Sequence, residues 1–415
     1  MINEARPRII TNNNRFEDKL LFYCARTKIN EEIRSRIEVL INQKPDWDYL
    51  IKSAIHHKVV PLLYSSIWRT HSTSIPEKFL KELQYYHIEN LKKNLFLTVE
   101  LIKLVNFLEA HQIPVIPYKG PVIAILAYGN ISLRQFSDLD ILVHPRDYRK
   151  TRHLLLEKGY RLATDYSWEC SLVNDRYGVC VDLHQSITPE QFPVHFDFKS
   201  IQQRLKTISI STGKITTFCP EDMLIVLCVQ LAKDVWGHQH NPLRLSKICD
   251  IAELIQANHN LNWKQIFNEA KKLGCQRILW AGLFIANKLL DTPIPKPLSR
   301  SRNHPSSDFL ETLTSDIYNK LVSRSITIDH AEPLSMESFH FKMRERWRDK
   351  LYPQYHDLKL RLLPNERDHK FVSLPKSLNA LYYLIRPIRL MRDYINFIRY
   401  ILKKKHLTKK NGTKN

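Results

Sequence analysis

Ile113-Pro114-Val115-Ile116-Pro117-Tyr118-Lys119-Gly120-Pro121, followed after a short apolar helical turn by Arg134-Gln135-Phe136-Ser137-Asp138-Leu139-Asp140-Ile141-Leu142-Val143, is the stretch from which the rest of the chain can be ordered. β-Branched residues and prolines at its start predict a strand, Gly120 a loop, the apolar turn a helix, and Asp138 to Val143 a second strand. On a strand, side chains alternate between faces. Asp138 and Asp140 therefore share one face, while Leu139, Ile141 and Val143 take the other. Two carboxylates in so apolar a strand need a compensating positive charge, which a metal ion can provide.

Downstream, Pro145 predicts a helix running to Lys158 and closed by Gly159. Short β-like runs follow at Ser167 to Val173 and Tyr177 to Leu183, joined by an Asn174-Asp175-Arg176-Tyr177-Gly178 turn. The second run continues to His184 and carries Asp182, a lone carboxylate among apolar residues and the candidate third ligand. His184 shares the face of Asp182 and reads either as a contact to metal or substrate or as a hydrogen-bonded core histidine. A further hairpin is predicted over Ser211 to Phe218 with its turn at Thr212-Gly213.

Both flanks are helical. Residues 1–14 read as a disordered N-terminus and 15–111 as an N-terminal helical region. In that region Asp46 caps one helix, and Leu80, Leu83, Ile88, Leu91, Leu95, Leu97, Leu101, Leu104 and Leu108 are the predicted apolar stripe of a long helix from Glu77 to Ala110. His56 and His57 are adjacent, which on a helix points them apart, so packing is favoured over metal binding. Residues 112–219 form the α/β core of the prediction, and 220–292 a helical region closing a cleft, beginning at Pro220-Glu221-Asp222. Residues 293–308 read as a linker or exposed loop, 309–402 as a C-terminal helical region with helices over 309–322, 337–350 and 377–402, and 403–415 as a basic disordered tail.

The chain has 415 residues, 43% of them hydrophobic, enough for a large core. No long uncharged apolar run predicts a spanning helix, no secretory signal is evident, and a cytoplasmic protein is expected. Seven cysteines without a closely spaced pair read as free thiols. A net charge of +21, from 63 Lys and Arg against 42 Asp and Glu, favours a polyanionic partner: nucleotide, nucleic acid or an anionic membrane surface.

Transfer of a nucleotidyl or phosphoryl group asks chiefly for positioning and charge neutralisation, through divalent ions clamped between carboxylates and phosphate oxygens. Asp138, Asp140 and Asp182 are the candidate metal ligands and catalytic residues, with Mg²⁺ the ion suited to oxygen ligands and phosphates. Lys119, Gly120 and Arg134 are the candidate phosphate-binding residues. Gln230 and Lys233 on one helix, and Arg244, Lys247 and Asp250 on the next, form either a polar wall of the cleft or a solvated face.

The order Lys119-Gly120, helix, Tyr128-Gly129, Leu133-Arg134-x-x-x-Asp138-x-Asp140-Ile-Leu-Val, a helix ending in Gly159-Tyr160, and Val181-Asp182-Leu183-His184 resembles the bacterial nucleotidyltransferase family of the polymerase-β-like superfamily. The resemblance extends over roughly Ile33 to Tyr394. It implies an α+β fold, a nucleotidyltransferase-type mixed β-sheet core embedded in a mostly helical chain, and use of an NTP such as ATP with Mg²⁺. It also implies metal binding by Asp138, Asp140 and Asp182, with Gly120 in the phosphate loop. Pro121 departs from the usual Gly-Ser or Gly-Gly and removes a backbone donor, and the 17 residues between Gly120 and Asp138 exceed the usual spacing.

The expected activity is transfer of NMP from an NTP to a hydroxyl or phosphate acceptor, whether small molecule, protein or RNA. The alternative is a non-catalytic nucleic-acid- or nucleotide-binding protein with the same fold. A third reading has the last helix, basic and amphipathic, placing an enzyme at a membrane periphery.

Overall fold

The computed structural model describes residues 15–70, 74–190, 192–210, 213–235, 243–295, 305–322 and 342–351, and later in the chain 363–364, 368, 371–393 and 395. Four helices come first: α1 (Phe16–Cys24), α2 (Glu31–Asn42), α3 (Trp47–His56) and α4 (Val60–Thr70). Asn30 and Asp46 cap α2 and α3, accepting the amides of Ile33 and Tyr49 at 2.9 and 3.0 Å.

The 34-residue α5 (Glu77–Ala110) follows. Its buried row passes through Leu83, Asn90, Asn94, Leu97, Leu101, Leu104 and Leu108, steps of three, four and seven. Ile88 and Leu95, predicted to belong to the apolar stripe, lie outward. The period of the helix is what excludes them, because the two asparagines occupy the core positions between Leu83 and Leu97. Their amides are used: Asn90 donates to the Ser132 carbonyl (3.0 Å), and Asn94 donates to those of Ile131 and Arg134 (2.7 Å each).

Then come β1 (Val115–Pro117), α6 (Pro121–Leu126), a 3-10 turn at Ile131–Leu133, β2 (Asp138–Val143), α7 (Pro145–Glu157), β3 (Arg161–Asp165), β4 (Glu169–Asn174) and β5 (Val179–His184). The mixed sheet has order β1-β2-β5-β4-β3. Only β2 and β5 run parallel, with Asp140 opposite Asp182 and Leu142 opposite His184. β3 was not anticipated: it is a largely exposed edge strand, so no apolar alternation announces it.

After α8 (Phe198–Gln202), β6 (Lys206–Ile210) and β7 (Gly213–Thr217) form a two-stranded ribbon. The hairpin thus begins earlier than predicted, and Gly213 opens β7 instead of lying in the turn. Its missing side chain is needed there, since a Cβ would stand 2.8 Å from Ile102 of α5. Thr217 ties the ribbon to β1 by donating to the Pro117 carbonyl at 2.6 Å.

The helices α9 (Pro220–Val235), α10 (Leu245–Ala257), α11 (Trp263–Leu273), α12 (Gln276–Leu290) and α13 (Ser307–Val322) complete this part. One contiguous core joins all of these helices to the sheet. Residues 342–343 and 347–351 are helical with a break at 344–346, so the helix predicted over 337–350 is not continuous. The break serves α12: Glu345 accepts the Arg277 amide at 2.5 Å, at the positive end of that helix, while the Lys342 carbonyl accepts the Arg277 guanidinium at 2.6 Å.

The chain divides into compact units at Met1–Glu345 and Arg346–Asn415. In the second, a 3-10 turn at Lys376–Leu381 leads into helical backbone over 382–393. The predicted disordered end 1–14, most of the 293–308 linker, residues 396–402 of the last helix and the 403–415 tail lie outside the described residues. Among the described residues no helix is long and apolar enough to cross a membrane. None of the seven cysteines, all among the described residues, is joined in a disulfide, and six are buried.

Candidate active site

Alternation along β2 and β5 sends Asp138, Asp140, Asp182 and His184 to one face of the sheet. There they line a cavity of ≈ 210 Å³ together with Lys119, Gly120 and Arg134, so the three candidate metal ligands and three candidate phosphate-binding residues of the sequence meet in one place, with His184 beside them. Glu169 on β4, Lys58 after α3, Lys233 and Asp234 on α9, and Arg244 and Lys247 at the start of α10 form the remaining charged lining.

Asp140 is the buried centre, 5% exposed. The Lys119 ammonium binds its Oδ1, and His184 Nε2 lies 3.1 Å from the same oxygen. Burial by itself would raise its pKa, but Lys119 and then His184 outweigh it and hold this carboxyl well below the usual carboxylate range. His184 Nδ1 lies 3.1 Å from Glu169 Oε2, so the imidazole sits between two carboxylates. Burial opposes its charging, and the bonds to Asp140 and Glu169 prevail and raise its pKa.

Asp182 behaves in the opposite way. Burial and the neighbouring charges of Asp140 and Asp138 push its pKa up to about 6, against the Ser171 hydroxyl that donates to it at 2.6 Å. Its negative charge is thus unfavourable in the folded chain above that pH and absent below it. Asp182→Asn should therefore stabilise the metal-free protein by about 2 kcal/mol at pH 7.5, with the gain disappearing as pH falls through 6 toward 4. Urea unfolding at the two pH values tests this. A less stable variant at pH 7.5 would show that the charge of Asp182 is favourable.

Asp140, Asp182 and His184 each offer a ligand atom, all within 4.8 Å of one another. Two carboxylate oxygens and an imidazole nitrogen suit a divalent cation, and the crowding that raises Asp182 is the kind a cation relieves. Asp138, at the mouth of the strand and part-buried, lies outside this trio but lines the same cavity.

Gly120 has φ 52°, and a Cβ there would stand 3.2 Å from the Asp138 carbonyl oxygen. Glycine is required for the loop to pass so close to β2. Pro121 takes the first position of α6, where an amide has no partner within the helix, so the donor it lacks is no loss to α6. Arg134 lines the cavity but is committed to a partner. Its Nε and a terminal nitrogen donate to the two oxygens of Asp250 at 2.8 and 2.9 Å, and the Tyr128 hydroxyl donates to Asp250 at 2.7 Å. Its remaining nitrogen reaches the Gly120 carbonyl at 3.4 Å. Arg134 thus ties the glycine loop to α10, and its own backbone carbonyl is held by Asn90 and Asn94 of α5.

Lys233, Arg244 and Lys247 line the cavity. Lys247 pairs with Asp234 at 2.8 Å. Burial, then the charge of Lys119, lowers Lys233 to about 8, and its ammonium lies 4.7 Å from the Trp168 ring centre. Burial and Arg244 also lower Lys58. Gln230 turns elsewhere, donating to the Ile187 carbonyl at 2.9 Å. Glu169, missed in the sequence, could have been found by counting back from Ser171 on the alternating β4; Lys58 and Asp234 carry no comparable signal. His57 has a packing role, with Nε2 3.0 Å from the Leu321 carbonyl oxygen and Nδ1 accepting the Leu245 amide at 3.4 Å.

Six chains of solved structures match. One is the lincosamide antibiotic adenylyltransferase LnuA bound to lincomycin, at 18% identity and a TM-score of 0.29, covering 38% of this chain and 96% of that one. Another is an antigenic nucleotidyltransferase-like protein from Paracoccidioides brasiliensis, also at 18% and 0.29, covering 50% and 95%. No curated protein matches. The family model described as an uncharacterised nucleotidyltransferase matches residues 43–291, more than half of the chain, and the protein belongs to that nucleotidyltransferase family.

Proposed function

We propose that the cavity on the β2–β5 face is the active site of a metal-dependent transfer of NMP from an NTP to a hydroxyl or phosphate acceptor, with Mg²⁺ as the ion. The observation that carries this reading is the ligand trio Asp140, Asp182 and His184 facing the same cavity as Lys58, Lys233 and Arg244. Carboxylates on one wall and cations on the other suit a triphosphate held through an ion.

Asp140, Asp182 and His184 would hold the metal, with Asp138 alongside. Bound there, a divalent ion would supply charge neutralisation for the triphosphate and so lower the cost of attack at the α-phosphorus. Lys119 neutralises Asp140 and stands beside the loop at Gly120, where it can turn to a phosphate oxygen. Lys58, Lys233 and Arg244 receive the charge of the departing pyrophosphate. Asp182 would accept the proton of the attacking hydroxyl. The acceptor oxygen forms its bond to the α-phosphorus as the bond to the pyrophosphate oxygen breaks.

Incubation of the protein with each α-labelled NTP, Mg²⁺ and cell extract should label an acceptor and release pyrophosphate, and EDTA should stop both. No labelling with any NTP, together with RNA retention that falls steeply with salt, would replace this reading by the nucleic-acid-binding one.

A further inference from the structure

The helical run over 382–393 is inside out. Its buried side carries Tyr382, Arg386 and Arg389. Asp368, fully buried, accepts from Arg386 at 2.8 Å and from Arg389 at 2.5 Å, and the Tyr382 hydroxyl donates to the Val372 carbonyl at 2.9 Å. The opposite side carries Leu381, Leu384, Ile388, Met391 and Ile395, at steps of three and four. Their exposures are 41, 67, 59, 63 and 46%. A helix bathed in water turns such a stripe inward. Here the inner side is satisfied by charge and the apolar side faces out.

The sequence adds a charge pattern. Residues 396–415 hold seven Lys and Arg, among them Lys403, Lys404 and Lys405, and no Asp or Glu. We propose that the 381–395 segment lies in the plane of an anionic membrane surface. Its five apolar side chains enter the boundary between headgroups and acyl chains, and the following lysines meet the lipid phosphates. A second copy of the chain on the same stripe would bring two sets of these cations together, which is repulsive. A nucleic acid would engage the lysines but has no use for an aliphatic stripe, since bases stack on aromatic rings. The lipid surface answers both features.

The test uses the full chain and sedimentation with vesicles of phosphatidylcholine, alone or mixed with phosphatidylserine. Binding is expected to the mixed vesicles and to weaken as salt rises. Leu384→Gln, Ile388→Gln and Met391→Gln together should lower partitioning about 100-fold, and Lys403→Gln, Lys404→Gln and Lys405→Gln together at least about tenfold. Circular dichroism of both variants should match the parent; in the apolar variant the substituted side chains face outward. Failure of the parent to bind mixed vesicles, or equal binding by the apolar variant, overturns the proposal. So does a parent dimer that the apolar variant converts to monomer without any vesicle binding, or RNA retention in place of vesicle binding.

Discussion

Asp140→Asn should reduce nucleotidyl transfer by at least about a thousandfold and abolish Mn²⁺ binding, read by the loss of protein-bound signal in electron paramagnetic resonance. Asp140 binds both Lys119 and His184, and it stands opposite Asp182 in the sheet. An amide keeps the shape and loses the charge, so the ligand trio falls to one carboxylate and one imidazole. The change also leaves Lys119, with a side chain 20% exposed, without its buried partner, so some loss of stability accompanies it. A double variant, Asp140→Asn with Lys119→Met, separates the effects: it should recover much of the stability and none of the transfer. Transfer by the single variant at a tenth of the parent rate would remove Asp140 from the reaction.

Asp250→Ala should cost about 3–5 kcal/mol in unfolding free energy. Asp250 is 1% exposed and accepts two bonds from Arg134 and one from Tyr128. Alanine would strand a guanidinium and a phenol in the interior. Replacing the pair together, Arg134→Met with Asp250→Leu, should restore most of the loss, because apolar packing needs no compensation. Urea unfolding of the single and double variants decides it. A loss below about 1 kcal/mol for Asp250→Ala would mean that water reaches the pair.

How far the sequence could be read depended on where an element buries its side chains. β2 was legible because four of its six residues are apolar, and the alternation of side chains along a strand put Asp138 and Asp140 on one face. Asp182 was found for the same reason on β5. β3 and β6 present largely exposed, polar positions, so burial leaves no mark in their residues. On α5 the leucines drew attention away from Asn90 and Asn94, whose burial depends on carbonyls forty residues later in the chain. Arg134 was legible as a cation near the phosphate loop, while its commitment to Asp250 was not, because the partners are 116 residues apart. The cationic wall at Lys233, Arg244 and Lys247 was open between cleft and solvent until the packing of α9 and α10 decided it.

The asparagine pair on α5 has a consequence for modularity. The turn of that helix bearing Asn90 and Asn94 is registered against the segment that carries Arg134, so one inserted residue between Leu83 and Asn90 would rotate the amides by about 100° and release the loop. The helices that precede the sheet are therefore not an exchangeable module. Recombination between relatives can preserve the site only when α5 and the 131–134 segment are inherited from the same parent.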